Sequence, residues 1–126
     1  MNLNQVTVPS LDVERAIKFY QLLGLKLIVH THPRYARFEL PGGNSSFSIQ
    51  QVEELQSGNG IHVYFEVPDL VSTYNNLKDN GVVFESTPTA QKWLWHEARL
   101  KDPDGNVIIL YHAGKNRLNP PWRLSV

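Results

Sequence analysis

The chain has 126 residues, twelve Lys plus Arg against twelve Asp plus Glu, and no cysteine. Balanced charge leaves no electrostatic footprint for nucleic acid or an anionic membrane, and the absent thiols exclude disulfides, thiolate metal centres and a cysteine nucleophile. No apolar run reaches the roughly 20 residues of a membrane span. The start, Met1-Asn2-Leu3-Asn4-Gln5, lacks the basic and apolar blocks of an export signal, so a single cytoplasmic domain over 1–126 is expected.

Leu3 to Val8 alternate apolar and polar, which predicts a strand stopped by Pro9. Asp12 stands where a helix N-cap belongs, and Val13, Ala16, Ile17, Tyr20 and Leu23 recur at helical spacing up to Gly24, the expected C′ residue. Leu25 to His30, Tyr35 to Leu40 and Phe47 to Val52 read as three more strands, separated by His32-Pro33 and Pro41-Gly42-Gly43-Asn44. The first half is therefore βαβββ, over about residues 3–52.

After a polar linker, Glu53 to Gly60, the pattern restarts at Ile61. Ile61 to Val67 alternates, Pro68 ends it, Asp69 caps, and Leu70, Thr73, Tyr74 and Leu77 form a helical stripe before Gly81. Asp12 lies twelve residues before Gly24, and Asp69 lies twelve before Gly81, so the two helices bury equivalent positions. Val82 to Glu85, Trp93 to Leu100 and Val107 to Tyr111 complete a second βαβββ over about 61–112. Its last two strands are joined by a hairpin turn at Asp102-Pro103-Asp104-Gly105-Asn106, for which Pro41-Gly42-Gly43-Asn44 is the worn counterpart. The tail from 113 to 126 has no periodicity and should be an extended arm. Trp122 in it, worth roughly 150–250 Å² of buried surface, is expected to pack on its own domain or on a second subunit.

Strand parity divides the side chains into two faces. Val6, Val8, Ala36, Phe38, Phe47, Ile49, Val63, Phe65, Val67, Ala98, Leu100, Ile108 and Leu110 form the expected core. The opposite face carries Gln5, Thr7, Arg37, Glu39, Ser48, Gln50, His62, Tyr64, Glu66, Trp93, Trp95, Glu97, Arg99, Ile109 and Tyr111. Two arginines, three glutamates, a histidine and several aromatics are more than a solvated surface needs.

The duplicated βαβββ pattern resembles the vicinal oxygen chelate superfamily, which includes glyoxalase I, bleomycin-resistance proteins and extradiol dioxygenases. So do Asp12-x-x-x-Ala16-x-x-Phe19-Tyr20-x-x-Leu23-Gly24 and Asp102-Pro103-Asp104-Gly105-Asn106. The resemblance covers the chain up to Tyr111. It implies an α+β fold of two tandem βαβββ modules whose mixed sheets curve into half-barrels, with helices on the convex side and the ligand on the concave side, and it implies a homodimer. Metal-dependent members place ligands on the first and last strand of each module, here Gln5, Ser48, His62 and Ile109. Only His62 matches, and the set supplies no charge, so no metal or other cofactor is expected. His30, His32, His96 and His112 are scattered in sequence and read as ordinary.

By the same resemblance, Trp93-Leu94-Trp95-His96-Glu97 is similar to the Trp-Gly-x-Arg-Glu segment of the drug-binding members, with Leu94 and His96 departing from it. Tyr64 and Trp95 are placed to stack on a ring. Arg37 and Arg99 are placed either to hold an anionic group or to pair with Glu39, Glu66 or Glu97 across strands. The expected ligand-binding set is Gln5, Thr7, Arg37, Ser48, Gln50, His62, Tyr64, Trp95, Glu97, Arg99 and Tyr111, taking an aromatic or anionic small molecule. Two other classes stay open: a metal-dependent lyase, isomerase or dioxygenase using His62, Tyr64 or Glu66 as acid, base or ligand, and a protein-interaction module.

Overall fold

A computed structural model describes residues 1–58 and 60–125. The chain divides into two compact units: residues 1–61 with 102–106, and residues 62–101 with those from 107 onward. The first holds β1 (Gln5–Ser10), α1 (Val13–Leu22), β2 (Lys26–Thr31), β3 (Tyr35–Glu39) and β4 (Ser46–Gln51) in a sheet ordered β1-β4-β3-β2. The second holds β5 (His62–Glu66), α2 (Leu70–Asp79), β6 (Thr89–Ala90), β7 (His96–Lys101) and β8 (Val107–His112), ordered β5-β8-β7-β6. In each sheet the first strand runs parallel to the last and the other pairs are antiparallel. The fold is thus the expected tandem of βαβββ modules, each an open mixed sheet with one helix.

Both helices begin and end by the same local chemistry. Asp12 and Asp69 accept hydrogen bonds from Arg15 N and Ser72 N, each at 3.1 Å. At the C-terminal ends Leu25 N reaches Tyr20 O at 3.0 Å and Val82 N reaches Leu77 O at 2.9 Å, paired with Gly24 N to Gln21 O and Gly81 N to Lys78 O. That is a Schellman closure, and it needs the left-handed backbone that Gly24 (φ 101°) and Gly81 (φ 94°) adopt without a Cβ penalty. Leu25 and Val82, the residues after each glycine, are both buried.

In the first unit α1 sets Val13, Ala16, Ile17 and Tyr20 into the core. The Tyr20 ring lies 4.6 Å from that of Phe47 and 5.9 Å from that of Phe38. The Tyr20 hydroxyl donates to Asp102 Oδ2 at 2.6 Å. Asp102 is 5% exposed and its carboxylate is fully engaged: Oδ1 accepts from Asp104 N and Asn106 N, both 2.9 Å, and Oδ2 also accepts from Asn106 Nδ2 at 2.8 Å. The neighbouring Asp104 accepts from Leu11 N at 2.8 Å and from Arg15 Nη2 at 3.3 Å, and Asn106 Nδ2 donates to Pro9 O at 3.0 Å. Burial and the adjacent Asp102 carboxylate push the Tyr20 hydroxyl far upward, so it remains a proton donor.

Several expected boundaries shift, each for a local reason. β1 runs through Pro9 to Ser10 because it is an edge strand, where a missing N–H leaves no ladder bond broken. No strand forms over 82–85. The Val82 N–H is already spent on the α2 closure, and of the sheet-type bonds only Glu85 N to Arg99 O (2.8 Å) is made. β7 starts at His96 rather than Trp93, since Gln91 N to Trp95 O (2.8 Å) and Leu94 N to Gln91 O (3.0 Å) close a turn over 91–95. Val6, Phe65 and Val67 are partly rather than fully buried. The arm opens with a short 3-10 helix, Gly114–Arg117, and Trp122 stays 55% exposed, so its own chain covers it only in part.

Glu66 fastens that 3-10 helix. Its Oε2 accepts from Ala113 N at 2.7 Å and Gly114 N at 2.9 Å, with His112 and Arg117 within 4 Å. Partial burial raises its pKa, but the two backbone donors and then the neighbouring His112 and Arg117 outweigh this and hold it below the ordinary 4.5.

Two tests follow from these contacts. Tyr20→Phe leaves a buried carboxylate short of one donor and should cost about 1.5–3 kcal/mol in urea unfolding; a loss under about 0.5 kcal/mol would show that Asp102 is satisfied without it. A carboxylate whose folded pKa is depressed stabilises above its unfolded pKa and loses that contribution as pH falls through the folded value. The midpoint difference between the native chain and Glu66→Gln should therefore be full near pH 7 and fade as pH falls through the folded carboxyl value, which lies below 4.5. A difference that is independent of pH would contradict it.

Candidate functional site

The polar face of the first unit is a hydrogen-bonded row on β1, β3 and β4. Parallel pairing sets Thr7 beside Ser48, and antiparallel pairing sets Ser48 beside Arg37. Ser48 is fully buried; Gln5 Nε2 donates to its Oγ at 2.9 Å, and the Thr7 and Ser48 hydroxyls share a hydrogen bond of 2.6 Å. Gln5 Oε1 in turn accepts from Ser46 Oγ in a short bond. Arg37 Nε donates to the Tyr35 hydroxyl at 2.8 Å, and its guanidinium lies 5.4 Å from the centre of the same ring. Burial raises the Tyr35 hydroxyl, yet hydrogen bonds with Ser48, Arg37 and Gln5 prevail and leave it below the ordinary tyrosine value.

Tyr35 was absent from the expected site. It sits two residues before Arg37 and so shares its face; the alternation that selected Arg37 and Glu39 also selects it. Gln50 stands somewhat apart from the row. It is exposed, contacts Arg34 O at 3.4 Å, and borders an open cleft with Leu11, Arg34 and Glu53.

In the second unit the corresponding face is aromatic. Trp95 and Tyr111 stack with centroids 4.7 Å apart and planes at 24°, and Tyr64 meets both edge-on at 5.8 and 5.4 Å. Beneath them Ile109 is fully buried and packs with Tyr111, Ala113, Trp95 and Val107. Antiparallel pairing puts Arg99 beside Ile109 and Glu97 beside Tyr111. Glu97 is buried and accepts from Trp93 Nε1 at 2.8 Å, while the Trp95 indole N–H is turned toward Asn116 O at 3.4 Å. Burial and then the Glu97 charge raise the Tyr64 hydroxyl, with Arg99 acting against them; burial and then Glu66 raise that of Tyr111. Both phenols are hydrogen-bond donors at neutral pH.

Cross-strand pairing of the two arginines with glutamate does not occur. Among the described residues neither Arg37 nor Arg99 has a carboxylate within ion-pair distance: Glu97 is held by Trp93, and Glu66 is held by the 113–117 segment. Arg99 is exposed on the aromatic face. The candidates His62, Tyr64 and Glu66 alternate along β5 as expected. Tyr64 is itself part of the aromatic wall, His62 is exposed at the strand's start, and Glu66 is held by backbone donors and reaches the wall only through the Tyr111 hydroxyl.

The strand register also tests the metal positions. Gln5 pairs with Ser46 as His62 pairs with Val107, so Ser48 and Ile109 are structurally equivalent, opposite Thr7 and Tyr64. Gln5 and Ser48 satisfy each other, and Ile109 offers no donor. A neutral amide, a hydroxyl, an imidazole and an alkyl group do not make up for the water that a divalent cation gives up, so these positions do not fit a metal.

Two expectations need correction beside this. Trp93 is not on a strand of the site; it lies in the 91–95 turn and reaches the face only through its indole N–H. In that turn Leu94 has φ 67°, a left-handed conformation that favours glycine, at the position where the similar drug-binding segment has Gly. The histidines are not all isolated either, since His30 and His32 converge on Glu14.

Comparison with known proteins agrees with this architecture. Residues 2–110 match the model of the Glyoxalase/Bleomycin resistance protein/Dioxygenase superfamily. The uncharacterized protein YraH of Bacillus subtilis (strain 168) is 26% identical over 127 residues, covering 88% of this chain and 98% of YraH. Among solved structures, a glyoxalase/bleomycin resistance protein/dioxygenase from Nocardioides superposes with a TM-score of 0.78 at 21% identity, covering 99% of this chain and 90% of that one. A bleomycin-binding protein complexed with bleomycin superposes with a TM-score of 0.72 at 21% identity, covering 89% and 97%. The duplicated module, its paired caps and the family match together establish that this chain belongs to the Glyoxalase/Bleomycin resistance protein/Dioxygenase superfamily.

Proposed function

We propose that the protein binds a small aromatic, anionic molecule on the polar and aromatic face of its second module. The observation that carries this reading is Arg99: an exposed guanidinium that among the described residues has no carboxylate partner, beside a wall of Tyr64, Trp95 and Tyr111. Stacking on such a wall contributes about 0.5–1.5 kcal/mol beyond area burial. A planar guanidinium adds bidentate recognition of a carboxylate or phosphate. Gln5, Thr7, Tyr35, Arg37 and Ser48 give the first module a similar pairing of arginine and tyrosine, and the bleomycin-binding neighbour supports small-molecule binding within this fold. His62 and Glu97 complete the proposed contact set, in one domain spanning 1–126 that works as a homodimer.

Titrating a panel of aromatic carboxylates, each against its neutral amide, should give saturable quenching of tryptophan fluorescence with the carboxylate preferred. Arg99→Ala should weaken the best ligand about tenfold or more, the equivalent of losing one charge-assisted hydrogen bond. Trp95→Phe should reduce the quench. Equal affinity for acid and amide, or an Arg99→Ala variant that binds as well as the native chain, would overturn the assignment.

A further inference from the structure

The first module carries a second cluster of chemistry-bearing groups, separate from its polar row. Glu14 projects from the first turn of α1, and His30 and His32 lie at the end of β2 and just beyond it. The i, i+2 spacing of His30 and His32 gives both rings one side of the extended chain, and that side meets Glu14. His30 Nε2 lies 2.8 Å from Glu14 Oε1, and His32 Nδ1 lies 2.5 Å from the same oxygen. The three ligand atoms fall within 4.8 Å of one another, with ring centroids 6.2 Å apart and planes at 80°.

We propose that Glu14, His30 and His32 form a binding site for a first-row divalent metal ion of the zinc type. Two imidazole nitrogens and one carboxylate oxygen suit borderline ions such as zinc and leave calcium and magnesium, which require oxygen cages, poorly served. Net charge favours the ion: with both imidazoles neutral the cluster is anionic, whereas Gln5, Ser48, His62 and Ile109 are not. The side chains are 43%, 33% and 70% exposed for Glu14, His30 and His32, so an ion can enter from solvent and keep water at its remaining position. Donors around a tetrahedral ion with bonds near 2.0–2.1 Å stand about 3.3 Å apart. Admitting one therefore asks the Glu14 carboxylate to move out by about 0.5 Å from His30 and about 0.8 Å from His32, within the freedom of a surface rotamer.

The bound ion would tie the first turn of α1 to the end of β2. The test is calorimetric titration of zinc into the full, tag-free chain in chelator-free buffer. One zinc per chain with an affinity on the order of micromolar is expected. Glu14→Gln and His32→Ala should each weaken it about tenfold or more, whereas His96→Ala, a histidine outside the cluster, should leave it unchanged. All three substitutions are at exposed side chains, and circular dichroism verifies their folding. As a second readout, zinc should raise the thermal midpoint of the native chain and not that of His32→Ala. Affinity weaker than about 1 mM, or undiminished binding in both Glu14→Gln and His32→Ala, would reduce the cluster to surface hydrogen bonds and overturn the proposal.

Discussion

The buried carboxylate of Asp102 is the constraint around which the first unit is arranged. An ionised group at 5% exposure is tolerable only if its acceptor capacity is filled, and it is filled here by two turn amides, the Asn106 amide and the Tyr20 hydroxyl. Each of these donors fixes something else. The backbone amides set the 102–106 turn. Asn106 also holds Pro9 O at the end of β1. Tyr20 carries the stripe of α1 onto Phe38 and Phe47, and Asp104, beside Asp102, anchors Leu11 and Arg15 at the start of α1. One short acidic turn thereby determines where α1 begins and how its buried face is oriented.

Much of the fold was legible in the sequence because it is written in local chemistry. Asp12 and Asp69 as caps, Gly24 and Gly81 as left-handed closures, and the two-residue alternation of each strand are all short-range signals, and the duplication makes each half a check on the other. What failed was competitive. Val82 looks like the start of a strand, but a helix closure claims its N–H. Trp93-Leu94-Trp95 has strand composition, yet its amides close a turn. Trp122 is apolar, yet among the described residues its own chain leaves more than half of it exposed.

The candidate site was legible in outline through parity, which correctly grouped Thr7 with Ser48 and Arg37, and Tyr64 with Trp95 and Tyr111. Partner choice lay beyond the sequence. That Glu66 is spent on two amides and Glu97 on an indole, leaving Arg99 free, depends on where the 113–117 and 91–95 segments fold back. His30 and His32 illustrate the same limit. Their spacing from Glu14 has no meaning until α1 and β2 are placed side by side.

Taken together, the family's usual ligand positions carry neutral or apolar groups while a charged donor set stands elsewhere in the first module. Mapping paramagnetic broadening of amide NMR signals on titration with nickel(II) would test that division most directly. The account predicts broadening centred on residues 14, 30 and 32, with Gln5, Ser48, His62 and Ile109 retaining their signals. Broadening centred instead on His62 would contradict it and return metal chemistry to the face assigned here to an organic ligand.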